Sequence, residues 1–482
     1  MINAKGPMTW FLTLSGNDMN WDDLMSVLCK QEGLPFSKDH ISALSRKEKS
    51  KLMIANPVTT ARHFCRRVHH LIYSYILSDE KPLGEVVDYF WRIEFQMRGS
   101  PHLHSLWWIK DVSSLDTPEG ITDAPKFIDK YISTEIPTED KLMCKRVSAL
   151  QRHNHTKTCR KYCPKNKQSC RFGFPHPLSA QTVMKSKGCI ETSPHCYTMK
   201  RLPGCEYINP YNTAILRLWN ANMDIQMVGS AFGGAKYVCS YICKPECDEV
   251  NQSVREAVSN LPSDASTKKH LCTIGNVFLT HRQLSAQEAA FKMCGLPLRG
   301  SSKQTVYVDS RPEEERSRHL LPKHQLQELD DENTNIFCSN AFDRYRNRPS
   351  IPEFESLTFA EFSSWYSSSN KNSNSIELKN GYGFIRKRKS EILLRTPKLT
   401  IEQDGDKYFY SILLLHLPCR HEDEILQNCT TAEEAFKKVQ HLIKLPAGKN
   451  HAVEIERAIK QIQLLQDSVM NNYMLLLQIL RH

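Results

Sequence analysis

Phe90-Trp-Arg-Ile-Glu-Phe-Gln-Met-Arg-Gly-Ser-Pro-His-Leu-His104 is the stretch on which the fold of this 482-residue chain turns. Aromatic and β-branched residues fill two runs, Tyr89–Met97 and His102–Ile109, and Arg98-Gly99-Ser100-Pro101 between them has turn chemistry. The pattern predicts an antiparallel hairpin. On a strand, residues two apart share a face, so His102 and His104 can grip one cation side by side. A third ligand would come from the neighbouring run, where Glu94 and Gln96 also share a face. Register decides whether they meet. A two- or four-residue loop sets His104 against Phe95, whereas a three-residue loop or a bulge around Gly99 sets it against Glu94 or Gln96. We expect the second arrangement.

Outward from the hairpin, Thr59–Leu77 reads as a helix, with Phe64, Val68, Leu71, Ile72, Tyr75 and Ile76 at helical spacing. Leu216–Lys244 reads as strand or loop as far as Gly233-Gly234 and as helix from about Ala235. On that helix Tyr237, Tyr241 and Lys244 fall on one side. The pair of phenols is either an aromatic stripe on a core or a pair of nucleophiles. A phenol with a pKa near about 10 attacks a phosphodiester poorly unless a metal polarises the phosphoryl oxygen. The histidine hairpin offers that kind of metal site. Leu284–Met293 is a further helix, Ser363–Ser375 has the composition of a linker, and His451–Leu480 is an amphipathic helical tail.

Charge is unevenly spread. The chain has 64 Lys and Arg against 53 Asp and Glu, a net +11, yet Lys141–Ile190 holds twelve basic residues and no acidic one. Such a block repels itself unless it meets a polyanion, and its interleaved aromatics Tyr162, Phe172 and Phe174 favour nucleic acid. A second run, Arg386-Lys-Arg-Lys389, has the character of a nuclear-localisation or phosphate-binding patch. Of seventeen cysteines, Cys159, Cys163, Cys170, Cys189, Cys196 and Cys205 cluster beside His153, His155, His176 and His195. Zinc requires thiolates and imidazoles that converge tetrahedrally, and short loops between ligands make convergence cheap. His155, Cys159 and Cys170 are the expected ligands, and the fourth is open between His153 and Cys163.

Composition sets the bounds. With 40% hydrophobic and 24% charged residues the chain is neither disordered nor fibrous. Its longest apolar run, Tyr408–Leu417, is half the roughly 20 residues a membrane span needs. Met1–Gly16 lacks a secretory pattern, so an intracellular protein without a membrane partner is expected.

The hairpin motif ending at His104 resembles that of HUH endonucleases in their Helitron form, and Tyr237–Lys244 resembles the paired-tyrosine motif of the same transposons. His153–Cys170 with Arg171-Phe-Gly-Phe-Pro175, Leu284-Ser-Ala-Gln-Glu-Ala-Ala290 and Leu296-Pro-Leu298 resemble the Helitron replication-initiator region. The similarity runs from about Gly6 to about Leu417.

The resemblance implies an α+β fold, a central antiparallel sheet flanked by helices (the HUH nuclease fold), with a Cys/His zinc-binding insertion and a helical C-terminal region. It implies metal ligation by His102 and His104 with Glu94 or Gln96, and Mg²⁺ or Mn²⁺ as the ion. It implies nucleophilic Tyr237 and Tyr241, with Lys244 near the phosphate. Single-stranded DNA at transposon ends is the expected partner and the nucleus the expected site of action.

The expected organisation is a Helitron-like N-terminal region with the hairpin over 1–135 and a basic Cys/His insertion over 136–210. A two-tyrosine helix over 211–250 completes the core. A helical accessory region over 251–362, a linker and basic segment over 363–427, and a helical tail over 428–482 follow. Helitron proteins continue into a helicase. The nearest approach to a phosphate loop here is Leu445-Pro-Ala-Gly-Lys-Asn450, with Ile443 where the first glycine belongs. The expectation is therefore a shortened copy that nicks but needs a helicase in trans, or a remnant that only binds single-stranded DNA.

Overall fold

In the computed structural model, the described residues are 5–443 apart from 96–99, 114, 116, 157–158, 160–169, 171, 186–195, 229, 231–232, 236–255, 258, 263–268, 270–272, 274–275, 277–284, 317, 328–335 and 398. They fall into two compact units, residues 5–302 and 303–443. Among the described residues no helix is long and apolar enough to cross a membrane.

The N-terminal unit is built on one sheet. Strand β1 (Trp10–Ser15) alternates strictly, sending Trp10, Leu12 and Leu14 into the core and Phe11, Thr13 and Ser15 to the other face. Helices α1 (Asp22–Gln31) and α2 (Pro57–His69) follow. The latter begins at Pro57, where the missing N–H costs nothing, and buries Ala61, Phe64, Cys65 and Val68. Its last turns widen into a π-type coil over His70–Ile76, so helical structure covers the expected Thr59–Leu77.

The hairpin is present as β2 (Val86–Phe95) and β3 (Pro101–Ile109). Helices α3 (Pro118–Tyr131) and α4 (Thr213–Trp219), strand β4 (Met223–Met227), helix α5 (Ala286–Met293) and strand β5 (Arg299–Ser301) complete the unit. The sheet order is β4-β1-β3-β2-β5, with all neighbours antiparallel. The histidine strand β3 is therefore central. The unit is a mixed α/β structure around an antiparallel sheet.

One face of the sheet carries the core. Trp10, Trp91, Trp107 and Trp219 are essentially fully buried, with Leu12, Ile93 and Leu103 between strands and helices. Each such indole removes about 150–250 Å² from water, a gross gain on the order of 4–6 kcal/mol at about 25 cal/mol/Å². Asn212 ties distant segments together: its side chain caps α4 at the Ile215 amide and donates to the carbonyls of Pro82 and Tyr131. Segment 196–211 is part of this core through Cys196, Met199, Cys205, Ile208 and Tyr211, so the expected insertion over 136–210 is not a separate body.

The C-terminal unit corrects two expectations. The boundary falls near residue 302, inside the stretch 251–362 expected as one helical region. The stretch 363–427, expected as a linker, is folded. Its serines misled because they were read by composition: Ser363 and Ser364 are buried at the end of helix α6 (Phe359–Trp365). That helix runs directly into strand β7 (Tyr366–Ser369), paired with β9 (Phe384–Lys387), which also pairs with β8 (Ile376–Glu377). Strand β6 (Thr305–Tyr307) pairs in parallel with β10 (Leu393–Arg395). The apolar run read from composition becomes helix α7 (Asp406–His416), whose Ile412–Leu415 are core residues packed against α8 (Ala432–Val439). Arg348, almost wholly buried, donates to the carbonyls of Tyr345, Phe354 and Cys419, stacks on the Tyr345 ring and has the Glu355 carboxylate 4.0 Å away.

Gly300 lies flat against the Trp91 indole, and a Cβ there would collide with the ring. Gly300→Ala is expected to lower stability by about 1–3 kcal/mol, the usual cost of overpacking, by forcing β5 off β2. Thermal unfolding of the variant against wild type measures it.

Candidate functional site

The polar face of the sheet gathers the side chains with chemistry. In the β2–β3 ladder Glu94 stands opposite His102 and Arg92 opposite His104. The face-sharing expected for Glu94 and both histidines is thus present, but the direct partner of His104 is Arg92; Glu94 lies one pair along and reaches it diagonally, His104 Nε2 to Glu94 Oε2 being 3.1 Å. Gln96 lies outside the described residues. On the other flank β1 pairs Thr13 with His104 and Ser15 with His102. Thr13 Oγ1 is 3.1 Å from His104 Nδ1, and Ser15 Oγ is 3.2 Å from His102 Nδ1. Phe11, one step along the same face, has its ring centroid 6.1 Å from that of His104. Beyond Thr13, β4 places Asp224 on the same row. Burial pushes the Asp224 carboxyl up to about 6, opposed by a hydrogen bond from the Gln226 amide.

A second group of ligands converges more tightly. Among the described residues, one set of His, Cys, Asp and Glu side chains brings three or more ligand atoms within 4.8 Å of one another: His153, His155, Cys159 and Cys170. Two zinc ligands at about 2.3 Å (sulfur) and about 2.05 Å (nitrogen), held at a tetrahedral angle, stand about 3.5 Å apart. Cys159 Sγ is 3.6 Å from His155 Nδ1, and Cys170 Sγ is 3.4 Å from His153 Nε2. The donor set and its spacing therefore fit zinc. Of the two candidates for the fourth ligand, His153 is in this group, and Cys163 lies outside the described residues.

The surroundings favour ligation. Burial lowers the His153 pKa, keeping the ring neutral with a lone pair to give. The Thr156 amide is 3.2 Å from Cys159 Sγ, a donor that stabilises a thiolate. The His153 ring stacks on Phe174 with centroids 4.4 Å apart, and its amide donates to the Tyr207 carbonyl. Next to that pairing, Ile208 is rooted in the core of the unit.

Tyr237, Tyr241 and Lys244 lie outside the described residues; the described chain reaches a helical turn at 233–235 just before them. Reading the sequence overlooked Thr13 and Ser15, although hydroxyls two apart on the polar face of an alternating strand were a usable signal. Asp224 and Asp18 were also overlooked. Asp18 follows β1 and is 3% exposed, and among the described residues neither of its oxygens accepts a hydrogen bond of normal geometry. Burial outweighs the attraction of His63, Gln287 and Arg67, and pushes its carboxyl up to about 6.

The N-terminal unit is thus an antiparallel sheet presenting a His-x-His pair, together with a compact His/Cys group able to hold a metal ion. Comparison with known families adds a particular likeness: residues 1–107 match the model of the Helitron helicase-like domain at N-terminus, a stretch that takes in β1, α2 and the hairpin through both histidines. The N-terminal region is thus Helitron-like. No curated protein matches the chain.

Two outcomes follow. Protein purified without chelator is expected to carry about one zinc per chain, to lose it on Cys159→Ser/Cys170→Ser substitution, and to melt at lower temperature after chelation. Metal analysis with thermal melting checks this. For Asp18, the folded pKa of about 6 exceeds the ordinary 3.8, so its protonation stabilises the fold below that lower value and this contribution is lost as pH rises through 6. Asp18→Asn should therefore raise the melting temperature at pH near 8, by up to about 3 kcal/mol of stability, and change it little near pH 4. Melts at both pH values measure the difference.

Proposed function

We propose that this chain is a Helitron-type replication initiator that nicks single-stranded DNA and transfers the strand through a 5′-phosphotyrosine. The observation that carries the reading is the shared face of His102, His104 and Glu94 on central strands, within the region similar to Helitron proteins. On this reading the fold of the N-terminal unit is that of HUH nucleases, and the imidazoles with Glu94 or Gln96 hold Mg²⁺ or Mn²⁺. The donor set suits such an ion, since a carboxylate and imidazoles can be supplemented by phosphate and water oxygens. The ion supplies polarisation of the phosphoryl oxygen.

Tyr237 or Tyr241 attacks the phosphorus as its phenolic proton departs, the bond to the 3′ oxygen breaks, and a free 3′-OH is released. Attack by a 3′-OH on the phosphotyrosine rejoins a strand and restores the phenol. Two tyrosines let two strands be held in one cycle, and Lys244 offsets charge on the phosphate. The acid-free basic block and the zinc cluster give the DNA an electrostatic seat. A helicase acting in trans and a nuclear location complete the proposal, the latter supported by Arg386 and Lys387, both exposed on β9.

Incubation with end-labelled single-stranded DNA and Mn²⁺ should give a covalent adduct that survives denaturing electrophoresis. Tyr237→Phe/Tyr241→Phe should abolish it, and His102→Ala/His104→Ala should cut it by at least about 100-fold, the scale of losing metal assistance. DNA binding with no adduct in any protein, wild type included, would leave only the reading of a DNA-binding remnant.

A further inference from the structure

We propose that Thr13 and Ser15 are positioning residues whose hydroxyls hold Nδ1 of His104 and His102, so that both rings offer Nε2 to a divalent cation. The inference rests on the metal-dependent reading above and assigns to β1 a part in that site.

The geometry is paired. Two hydroxyls two residues apart on β1 meet two imidazoles two residues apart on β3, in register, at 3.1 and 3.2 Å. Neither hydroxyl is free to drift along the strand, because the intervening and flanking residues Leu12, Leu14 and Trp10 are locked in the core. A ring that donates Nδ1–H to a hydroxyl oxygen has its lone pair on Nε2. In His104 that nitrogen is the one turned to Glu94, at 3.1 Å. The hydroxyl contact therefore sets the ring plane toward the oxygen ligand: without a cation Nε2–H donates to Glu94 and the hydroxyl donates to Nδ1, and a cation taken up between Nε2 and Glu94 moves the ring proton to Nδ1, which donates it to the hydroxyl.

Metal-binding histidines depend on such outer partners, usually carboxylates or carbonyls. A hydroxyl does the same work without adding negative charge behind the ring. It leaves the imidazole less basic than a carboxylate partner would, which suits an exchangeable hard cation in a site that must also admit a phosphodiester. The other face of β1 is apolar, so no second role in the core accounts for hydroxyls at these two positions.

The test uses the full chain with its zinc cluster loaded and Mn²⁺ titrated while free ion is followed by electron paramagnetic resonance. Thr13→Val and Ser15→Ala are each expected to weaken Mn²⁺ binding about 10–100-fold, whereas Thr13→Ser and Ser15→Thr stay within about threefold of wild type. Nitrogen-15 shifts of the Mg²⁺-loaded protein should report a hydrogen-bonded Nδ1–H on His104 in wild type and a shift of that nitrogen in Thr13→Val, a readout that a simple change of stability does not move. Unaltered Mn²⁺ affinity in Thr13→Val and Ser15→Ala, with the His104 Nδ1 shift unaltered in Thr13→Val, overturns the proposal. Wild-type affinity in His102→Ala/His104→Ala, or no Mn²⁺ binding by wild type, instead overturns the metal reading on which it stands.

Discussion

The register of β1, β3 and β2 is the constraint on which the candidate site depends. Side chains alternate along a strand with a period of two, so one residue of slip on either side of β3 would send its partners to the opposite face. With Thr13 opposite His104 and Glu94 opposite His102, one face of three strands holds hydroxyls, imidazoles and a carboxylate, and the other holds Leu12, Leu14, Ile93, Leu103 and Trp107. The apolar face fixes the register because slipping would expose several kcal/mol of burial per side chain. The polar face inherits its geometry from that lock. The position of the histidines is thus set by residues that never touch them.

The two groups of metal-type ligands are built on different principles. His153, His155, Cys159 and Cys170 come from one short stretch, and their ligand atoms already stand at zinc spacing. Soft donors that close on one another leave no open position, which is the character of a structural site. His102, His104 and Glu94 come from adjacent strands and contain no sulfur, with His104 Nε2 3.1 Å from Glu94 Oε2. A site so open can complete its coordination with oxygens from water or a phosphate. On the proposed reading, stability and chemistry are divided between two places in one unit.

What could be read from the residues alone followed how local the determining physics was. The hairpin, the Thr59–Leu77 helix and the His155, Cys159 and Cys170 grouping were legible because alternation, helical spacing and short loops are local properties. The face shared by Glu94 and the histidines was legible as parity. That His104 faces Arg92 was not, because the pairing depends on how the chain turns between the strands. Thr13 and Ser15 lie about 90 residues from the histidines, and only the strand order β4-β1-β3-β2-β5 makes them neighbours. The stretch 363–427 failed for a related reason: serines buried in α6 and a strand after them are stabilised by tertiary packing that composition does not contain.

A sheet with a polar face would be a weak foundation for a site if that face had to contribute stability. Here it does not. Indoles and aliphatic side chains on the core face, together with helices α2 and α5 packed there, supply the burial, and the central position of β3 gives its backbone hydrogen bonds on both sides. Polar groups with raised pKa values, Asp18 and Asp224, can then be carried as local costs without loss of the fold. The central strand is the most rigid place in such a sheet, and side chains there are held with the least freedom. Two imidazoles on β3, braced by hydroxyls from one neighbour and facing a carboxylate from the other, occupy the position where this architecture can hold ligand geometry most closely.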